Sequence, residues 1–317
     1  MPISAGIHHI TAISGPAARN VAFYTDTLGL RLVKKTVNFD DPGTYHLYYG
    51  DETGQPGTIL TFFPWADVPA RRPGRGETSE TRFLIPEGAV SFWIDRLITR
   101  QVEHDAPVKL FGETVIRFRD PDGMPLALVA RRTASELPGY AVGNIAAESA
   151  IRGFAGAALS LGDIAGTARV LEEAFGWKSA GTEGKVTRYL TPADQFGAHI
   201  DLEQVEGARP AVMGAGSVHH IAFRAANDAN QAEMAEALQA MKIGTTEQKE
   251  RNYFRSVYFR EPGGIIFEIA TDDPGFAVDE PVETLGQALK LPEWLEKHRS
   301  RIEAALPSLA PAHGEAA

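Results

Sequence analysis

The chain has 317 residues, enough for two domains or one large one, and it contains no cysteine. The missing thiols exclude disulfides, thiolate metal sites and cysteine nucleophiles together. A net charge of −10 disfavours nucleic acid as a partner, because phosphate binding wants a basic face.

Hydrophobic residues make up 44% of the chain and charged residues 23%, so a large core needs no covalent staple. No run approaches the roughly 18 apolar residues of a membrane span. The segment Met1-Pro-Ile-Ser-Ala-Gly6 has neither the basic nor the apolar part of a secretory signal. A cytoplasmic protein is expected.

Residues 6–13 read as a strand. A helix is predicted from Ala17 to Leu28, where Val21, Phe23, Tyr24 and Leu28 recur at helical spacing before the stop at Gly29. Strands follow over Arg31–Phe39, Tyr45–Tyr49 and Thr58–Phe63, with a turn at Asp51-Glu-Thr-Gly54. The order is β-α-β-β-β.

That order recurs three times. The second copy has a strand at Thr81–Ile85, a helix at Gly88–Arg100, and strands at Thr114–Arg119 and Pro125–Ala130. The third has Gly153–Leu161, a helix at Gly166–Phe175, Thr187–Thr191 and Ala198–Glu203. The fourth has Ser217–Ala225, a helix at Asn230–Met241, Arg255–Phe259 and Ile265–Thr271. Asp120-Pro-Asp-Gly-Met-Pro-Leu-Ala-Leu and Glu261-Pro-Gly-Gly-Ile-Ile-Phe-Glu-Ile are the same turn and strand. The first of these reads as that turn rather than as a calcium loop. A period of about 50 to 60 residues identifies a repeat. The connector Arg131–Arg152 divides the copies into pairs, residues 1–135 and 150–272, each expected to close a curved open barrel. Residues 273–317 form a tail, with a helix predicted over Pro292–Leu306 and a frayed end after Pro307.

Chemistry-bearing residues are few. Glu268 lies among Ile265, Ile266, Phe267, Ile269 and Ala270, where a carboxylate is costly to bury unless it is paired or binds a metal. Two histidine pairs open strands: His8-His9 and His219-His220. One member of each pair, with Glu268, can complete a metal site.

These residues carry a resemblance. Ile7-His-His-Ile-Thr11, Tyr45-His-Leu-Tyr48, Gly57-Thr-Ile-Leu-Thr-Phe-Phe-Pro64, His219-His-Ile-Ala-Phe223 and Phe267-Glu-Ile-Ala-Thr-Asp272 are similar to the vicinal oxygen chelate superfamily. That superfamily includes glyoxalase I, extradiol dioxygenases and fosfomycin- and bleomycin-resistance proteins. The chain most resembles its hydroquinone-cleaving branch. The resemblance covers residues 6–272 and implies an α+β fold of four βαβββ modules in two paired domains.

Aligning the modules on the glycine of their last strand tests which can hold a metal. Gly264 lies four residues before Glu268, Gly57 four before Thr61, Gly123 four before Ala127 and Gly197 four before Asp201. The third module has a carboxylate but only Gly156-Ala-Ala-Leu where a histidine should stand. The fourth has both and is one ligand short, which the first module can supply. The resemblance places the ligands at His9 and His220, each directly before an isoleucine, with Glu268. Two imidazoles and a carboxylate with open positions suit non-haem Fe(II), and Mn(II) is compatible with the same set.

His8 and His219 are then expected beside the ligands as orienting or proton-transfer groups. Arg251 and Tyr258 match positions that contact substrate oxygens in the hydroquinone branch. Thr11 lies two residues beyond His9 on the same strand face. His46 is read as structural or functional alike, and His104, His199, His298 and His313 fall outside the ligand pattern. Phe223, Phe254 and Tyr258 are candidate walls for an aromatic ring. The implied activity is Fe(II)-dependent, extradiol-type ring cleavage of a hydroquinone or related aromatic diol. Its partners are a small aromatic substrate and O2, with no membrane and with room for a homo-oligomer. A glyoxalase-type lyase or isomerase needs a second metal-bound carboxylate, and Thr61 stands in its place. A non-enzymatic binder of the resistance-protein kind needs no metal triad.

Overall fold

The computed structural model describes residues 2–193 and 196–310. His313 lies outside them, as does the end of the tail from residue 311.

The first module contains β1 (Ile7–Ser14), α1 (Ala17–Ala22), β2 (Arg31–Asn38), β3 (Asp41–Gly50) and β4 (Ile59–Pro64). The second contains β5 (Glu77–Pro86), α2 (Val90–Thr99), β6 (Val108–Leu110), β7 (Glu113–Arg119) and β8 (Pro125–Arg131). The third contains β9 (Gly153–Leu161), α3 (Ala165–Arg169), β10 (Lys178–Glu183), β11 (Val186–Leu190) and β12 (His199–Gln204). The fourth contains β13 (Ser217–Ala225), α4 (Asp228–Ala240), β14 (Lys249–Glu250), β15 (Arg255–Arg260) and β16 (Ile266–Thr271). Each module is therefore βαβββ. The strands β6, β10 and β14 escape the sequence pattern because they are short or polar; β10 is exposed along its whole length. First and last strands of a module are buried on both faces, between helices outside and side chains inside. β1 and β9 are accordingly buried along their whole length, and β9 reads as a near-continuous run of apolar and small residues.

The modules pair differently from the expectation that residues 1–135 and 150–272 each close a barrel. One eight-stranded sheet runs β14-β15-β16-β13-β1-β4-β3-β2, and the other runs β10-β11-β12-β9-β5-β8-β7-β6. The first module thus joins the fourth, and the second joins the third. The physical reason lies in the linkers. Residues 65–76 and 205–216 pair with each other as they pass between the sheets: Arg72 and Val212 exchange backbone hydrogen bonds, as do Arg75 with Arg209 and Ala211. Both ends of the repeat are carried to one sheet, while the central two modules share the other.

Each sheet is closed by antiparallel pairing of two first strands, β1 with β13 and β5 with β9. The register is two-fold symmetric: His9 faces Ala222 and Thr11 faces His220. The same symmetry relates Thr61 to Glu268, since Thr11 pairs Thr61 and Ala222 pairs Glu268. It relates Tyr48 to Tyr258, the partners of Thr61 and Glu268 on the next strands.

In the second sheet the positions equivalent to His9, His220 and Glu268 are Glu80, Gly156 and Asp201. A Cβ at Gly156 would meet the His199 ring at 2.4 Å, so no ligand side chain fits there. Arg82 lies across the pair. It bonds Glu80 at 2.6 Å and also Asp201, and Arg188 grips Asp201 at 2.7 and 2.9 Å. A guanidinium occupies the ground between these two carboxylates.

The tail packs on the first sheet. Lys34, fully buried on β2, bonds Asp279 at 2.6 Å and also Glu280, while Phe276 packs on Tyr48 and Tyr253. The predicted helix over Pro292–Leu306 forms as two short ones, α5 (Glu293–Glu296) and α6 (Arg299–Ala305).

Removing one partner of a buried ion cluster leaves the others unpaired at low dielectric. Arg82→Ala should therefore destabilise the protein by about 3–5 kcal/mol, read from urea unfolding. A loss below about 1 kcal/mol would show that the cluster contributes no more than a surface pair.

Candidate metal centre

The centre is built where β1, β13 and β16 meet. The two histidine pairs are adjacent residues, and adjacent side chains on a regular strand point to opposite faces. Register shifts resolve the conflict. The β1/β13 pairing slips between Ile7 and His9 on β1, and between His220 and Val218 on β13. His8 and His219 are the extra residues of two symmetric bulges, which re-aim side chains. As a result His8 Nδ1 lies 2.9 Å from His9 Nδ1, and His219 Nδ1 lies 2.8 Å from His220 Nδ1.

These contacts direct the other ring nitrogen. With each shared proton on His9 and His220, both Nε2 lone pairs turn inward. His9 Nε2 lies 3.3 Å from Glu268 Oε2, and His220 Nε2 lies 2.9 Å from the same oxygen. Ligand atoms of the three residues all lie within 4.8 Å of one another. Glu268 is fully buried, and its Oε2 has no aligned hydrogen-bond donor despite the two nearby nitrogens. Its Oε1 accepts a short bond from Ser256 Oγ. Burial alone pushes this carboxyl up, but His9 and His220 outweigh burial and hold it well below the usual carboxylate range. An ionised oxygen facing two imidazole nitrogens, without a proton aligned between them, is a donor set for a cation. Two imidazoles and one carboxylate fit a transition metal with open positions. Among the described residues this is the one cluster with metal-ligating geometry.

A cavity of 340 Å³ opens onto His9 and His220. Phe63, Trp65, Phe254 and Phe39 give it aromatic walls, and Arg251, Tyr258, Thr11, His46, Tyr48 and His219 supply polar groups. Phe254 stacks obliquely on His9 at 4.8 Å. Arg251 Nε donates to Tyr258 Oη at 3.3 Å. Burial, then Glu268, pushes the Tyr258 phenol up, so it holds its proton. Burial followed by His220 brings His219 down to about 4, which keeps it neutral at pH 7.

The structure brings His219, Arg251, Tyr258 and Thr11 to this cavity. His8 does not reach it; the ring is sealed against His9 and Phe254. Phe223 packs away from the cavity against Phe175, Trp177 and Phe267. Thr61, in the place a second carboxylate would take, is buried and donates to Thr11 Oγ1 at 3.0 Å. Sequence reasoning missed Ser256 and Tyr48 and left His46 undecided. The glycine alignment that found Glu268 finds them once it is extended one strand further, but that step needs the strand register.

Residues 6–128 and 153–269 match the Glyoxalase/Bleomycin resistance protein/Dioxygenase superfamily. The chain belongs to this superfamily. Within it, the chain is an enzyme of the ring-cleaving dioxygenase kind. It is 46% identical over 301 residues to MhqO of Bacillus subtilis, named as a ring-cleaving dioxygenase, covering 95% of each chain. It is 34% identical to the chlorohydroquinone/hydroquinone 1,2-dioxygenase of Sphingobium indicum, covering 92% of each. A crystal structure of a Bacillus subtilis protein titled as a dioxygenase superposes with a TM-score of 0.92 at 44% identity, covering 97% of this chain and 98% of that one.

A neutral amide is a far poorer metal ligand than a carboxylate. Glu268→Gln should lower affinity for Fe(II) or Mn(II) by at least about tenfold, measured by metal content after dialysis. Retention of one tightly held metal per chain would remove Glu268 from the ligand set.

Proposed function

We propose that this chain is an Fe(II)-dependent, extradiol-type dioxygenase that opens the ring of a hydroquinone or a related aromatic diol. The carrying observation is the convergence of His9, His220 and the unpartnered Glu268 oxygen at the base of an aromatic-walled cavity. The relative acting on chlorohydroquinone and hydroquinone supports the substrate class. Mn(II) suits the same ligands.

His9, His220 and Glu268 would hold the metal. When bound, it supplies coordination of a diol oxygen and a path for electrons from ring to O2. The chain's own residues do the rest. Phe254, Phe63 and Trp65 bracket the ring and exclude water, which strengthens polar contacts inside. Arg251 offers a fixed cation to a phenolate, and it meets no carboxylate of its own among the salt bridges of the described residues. Tyr258 keeps its proton and donates it toward developing negative charge. His219 is neutral and faces the cavity; its Nδ1 accepts from His220 Nδ1, so its single ring proton sits on Nε2 and can be donated to an oxygen of the diol or of the reacting O2. His8 orients His9 through the Nδ1 contact and moves no substrate proton.

Anaerobic loading with Fe(II), followed by oxygen uptake with hydroquinones and catechols side by side, tests the reading. Uptake with a hydroquinone and a ring-opened product by mass spectrometry are expected. Tyr258→Phe should keep its iron and turn over roughly 10²-fold more slowly. Arg251→Ala and His219→Ala should also slow turnover. If all three variants match the parent protein, these roles are wrong even where the triad stands.

A further inference from the structure

The symmetry of the first sheet sets two half-sites side by side. In one, Ser256 Oγ bonds Glu268 and fixes a metal ligand. In the other, Thr61 replaces the glutamate, and His46, two residues before Tyr48, replaces the serine two residues before Tyr258. The replacement creates a hydrogen-bonded series of four side chains. Tyr48 Oη lies 2.9 Å from His46 Nδ1, His46 Nε2 lies 2.8 Å from Thr61 Oγ1, and Thr61 donates to Thr11 Oγ1 at 3.0 Å.

We propose that His46 is a positioning residue that fixes the Thr11 hydroxyl as a hydrogen-bond donor to a substrate oxygen in the cavity. The substrate part rests on the ring-cleaving reading above. The direction of the series follows from its members. Tyr48 is buried and keeps its phenolic proton, so it donates to His46 Nδ1. Burial holds His46 neutral, so its single ring proton sits on Nε2 and goes to Thr61. Thr61 then spends its own proton on Thr11. Thr11 is left with a hydroxyl hydrogen that has no side-chain acceptor among the described residues, and it lines the cavity beside His9. The series cannot easily reorient, because the His46 ring is packed between Tyr48 at 4.1 Å and Phe63 at 4.3 Å. Serine carries one hydroxyl on a short stem, whereas imidazole sets two nitrogens on opposite sides of a ring and spans the gap between the Tyr48 phenol and the Thr61 hydroxyl.

Two measurements decide this. The first is nitrogen-15 NMR of the Zn(II)-loaded protein with labelled histidine. His46 should be the neutral tautomer protonated at Nε2, and Thr61→Val should shift that resonance. A proton on Nδ1 reverses the series and overturns the proposal. The second is oxygen uptake by the Fe(II)-loaded protein with a hydroquinone. His46→Phe keeps the packing and removes both nitrogens. It should lower kcat about tenfold, with KM and metal content little changed. Thr11→Val should give a similar loss, and the double variant should be no slower than the singles. His46→Gln retains a donor and an acceptor and should recover part of kcat. Unchanged kcat in His46→Phe, additive losses in the double variant, or loss of metal from His46→Phe would each overturn it. If His46→Phe does not fold, a His46→Gln variant as slow as Thr11→Val overturns it. A parent protein inactive toward every diol sinks the ring-cleaving reading alone, and the tautomer then decides this inference.

Discussion

A carboxylate that is fully buried must be matched by positive charge, and Glu268 sets that demand at the centre of the first sheet. Its two oxygens divide the work. Ser256 satisfies Oε1, while Oε2 is held toward two imidazole nitrogens that offer it no aligned proton. Everything around it serves that geometry. The bulges turn adjacent histidines into orienting pairs, Phe254 seals the side away from solvent, and the tail packs Phe276 and Leu285 into the same apolar cluster as Phe254 and Tyr48. A neutral residue at 268 would relieve the electrostatic cost and abolish the reason for the rest.

The second sheet solves the same problem without a metal. Asp201 stands where Glu268 does, equally buried, and Arg82 and Arg188 neutralise it directly. Arg188 occupies the position of Tyr258, and Arg117 that of Tyr48. The donors that face a cavity in one sheet have become the counter-ions of the other. The comparison separates what the fold requires from what the reaction requires. The fold needs its buried carboxylate compensated. Only the site needs the compensation to be a removable cation with open positions. The two sheets therefore differ in side chains, at Glu80, Arg82, Gly156 and Arg188 among others, and not in backbone plan.

Much of this was legible in the sequence, for identifiable reasons. The repeated turns at Asp120–Gly123 and Glu261–Gly264 exposed the modules, and an acidic residue in an apolar strand exposed Glu268. The pairing of modules was misjudged because linker length and composition do not reveal where a linker goes. Yet the ligand set held the answer. Joining His9 to His220 and Glu268 demands that the first module meet the fourth, which is incompatible with halves that each close alone. The sequence also does not display the basicity of His219, which burial and the neighbouring His220 bring down to about 4. Ser256, Tyr48 and the role of His46 depend on register between neighbouring strands, and register is a property of paired chains that one strand's residues do not display.

The nested order of modules gives the second sheet a task of its own. β1 and β13 are separated by most of the repeat, and closing so long a loop costs conformational entropy without local contacts to offset it. The second and third modules lie wholly inside that loop and pair with each other. Once they are joined, the linkers at 65–76 and 205–216 leave the same sheet side by side and are bonded to each other between Pro69 and Ala215. The chain left to order between β1 and β13 is then the rest of the first module, residues 15–64, and those two short linkers. The arginine–carboxylate cluster at the equivalent position of the second sheet stabilises the element that brings His9 to His220. A metal there would have made assembly of the working centre depend on filling an idle one. Internal guanidinium groups remove that dependence, since they arrive with the chain.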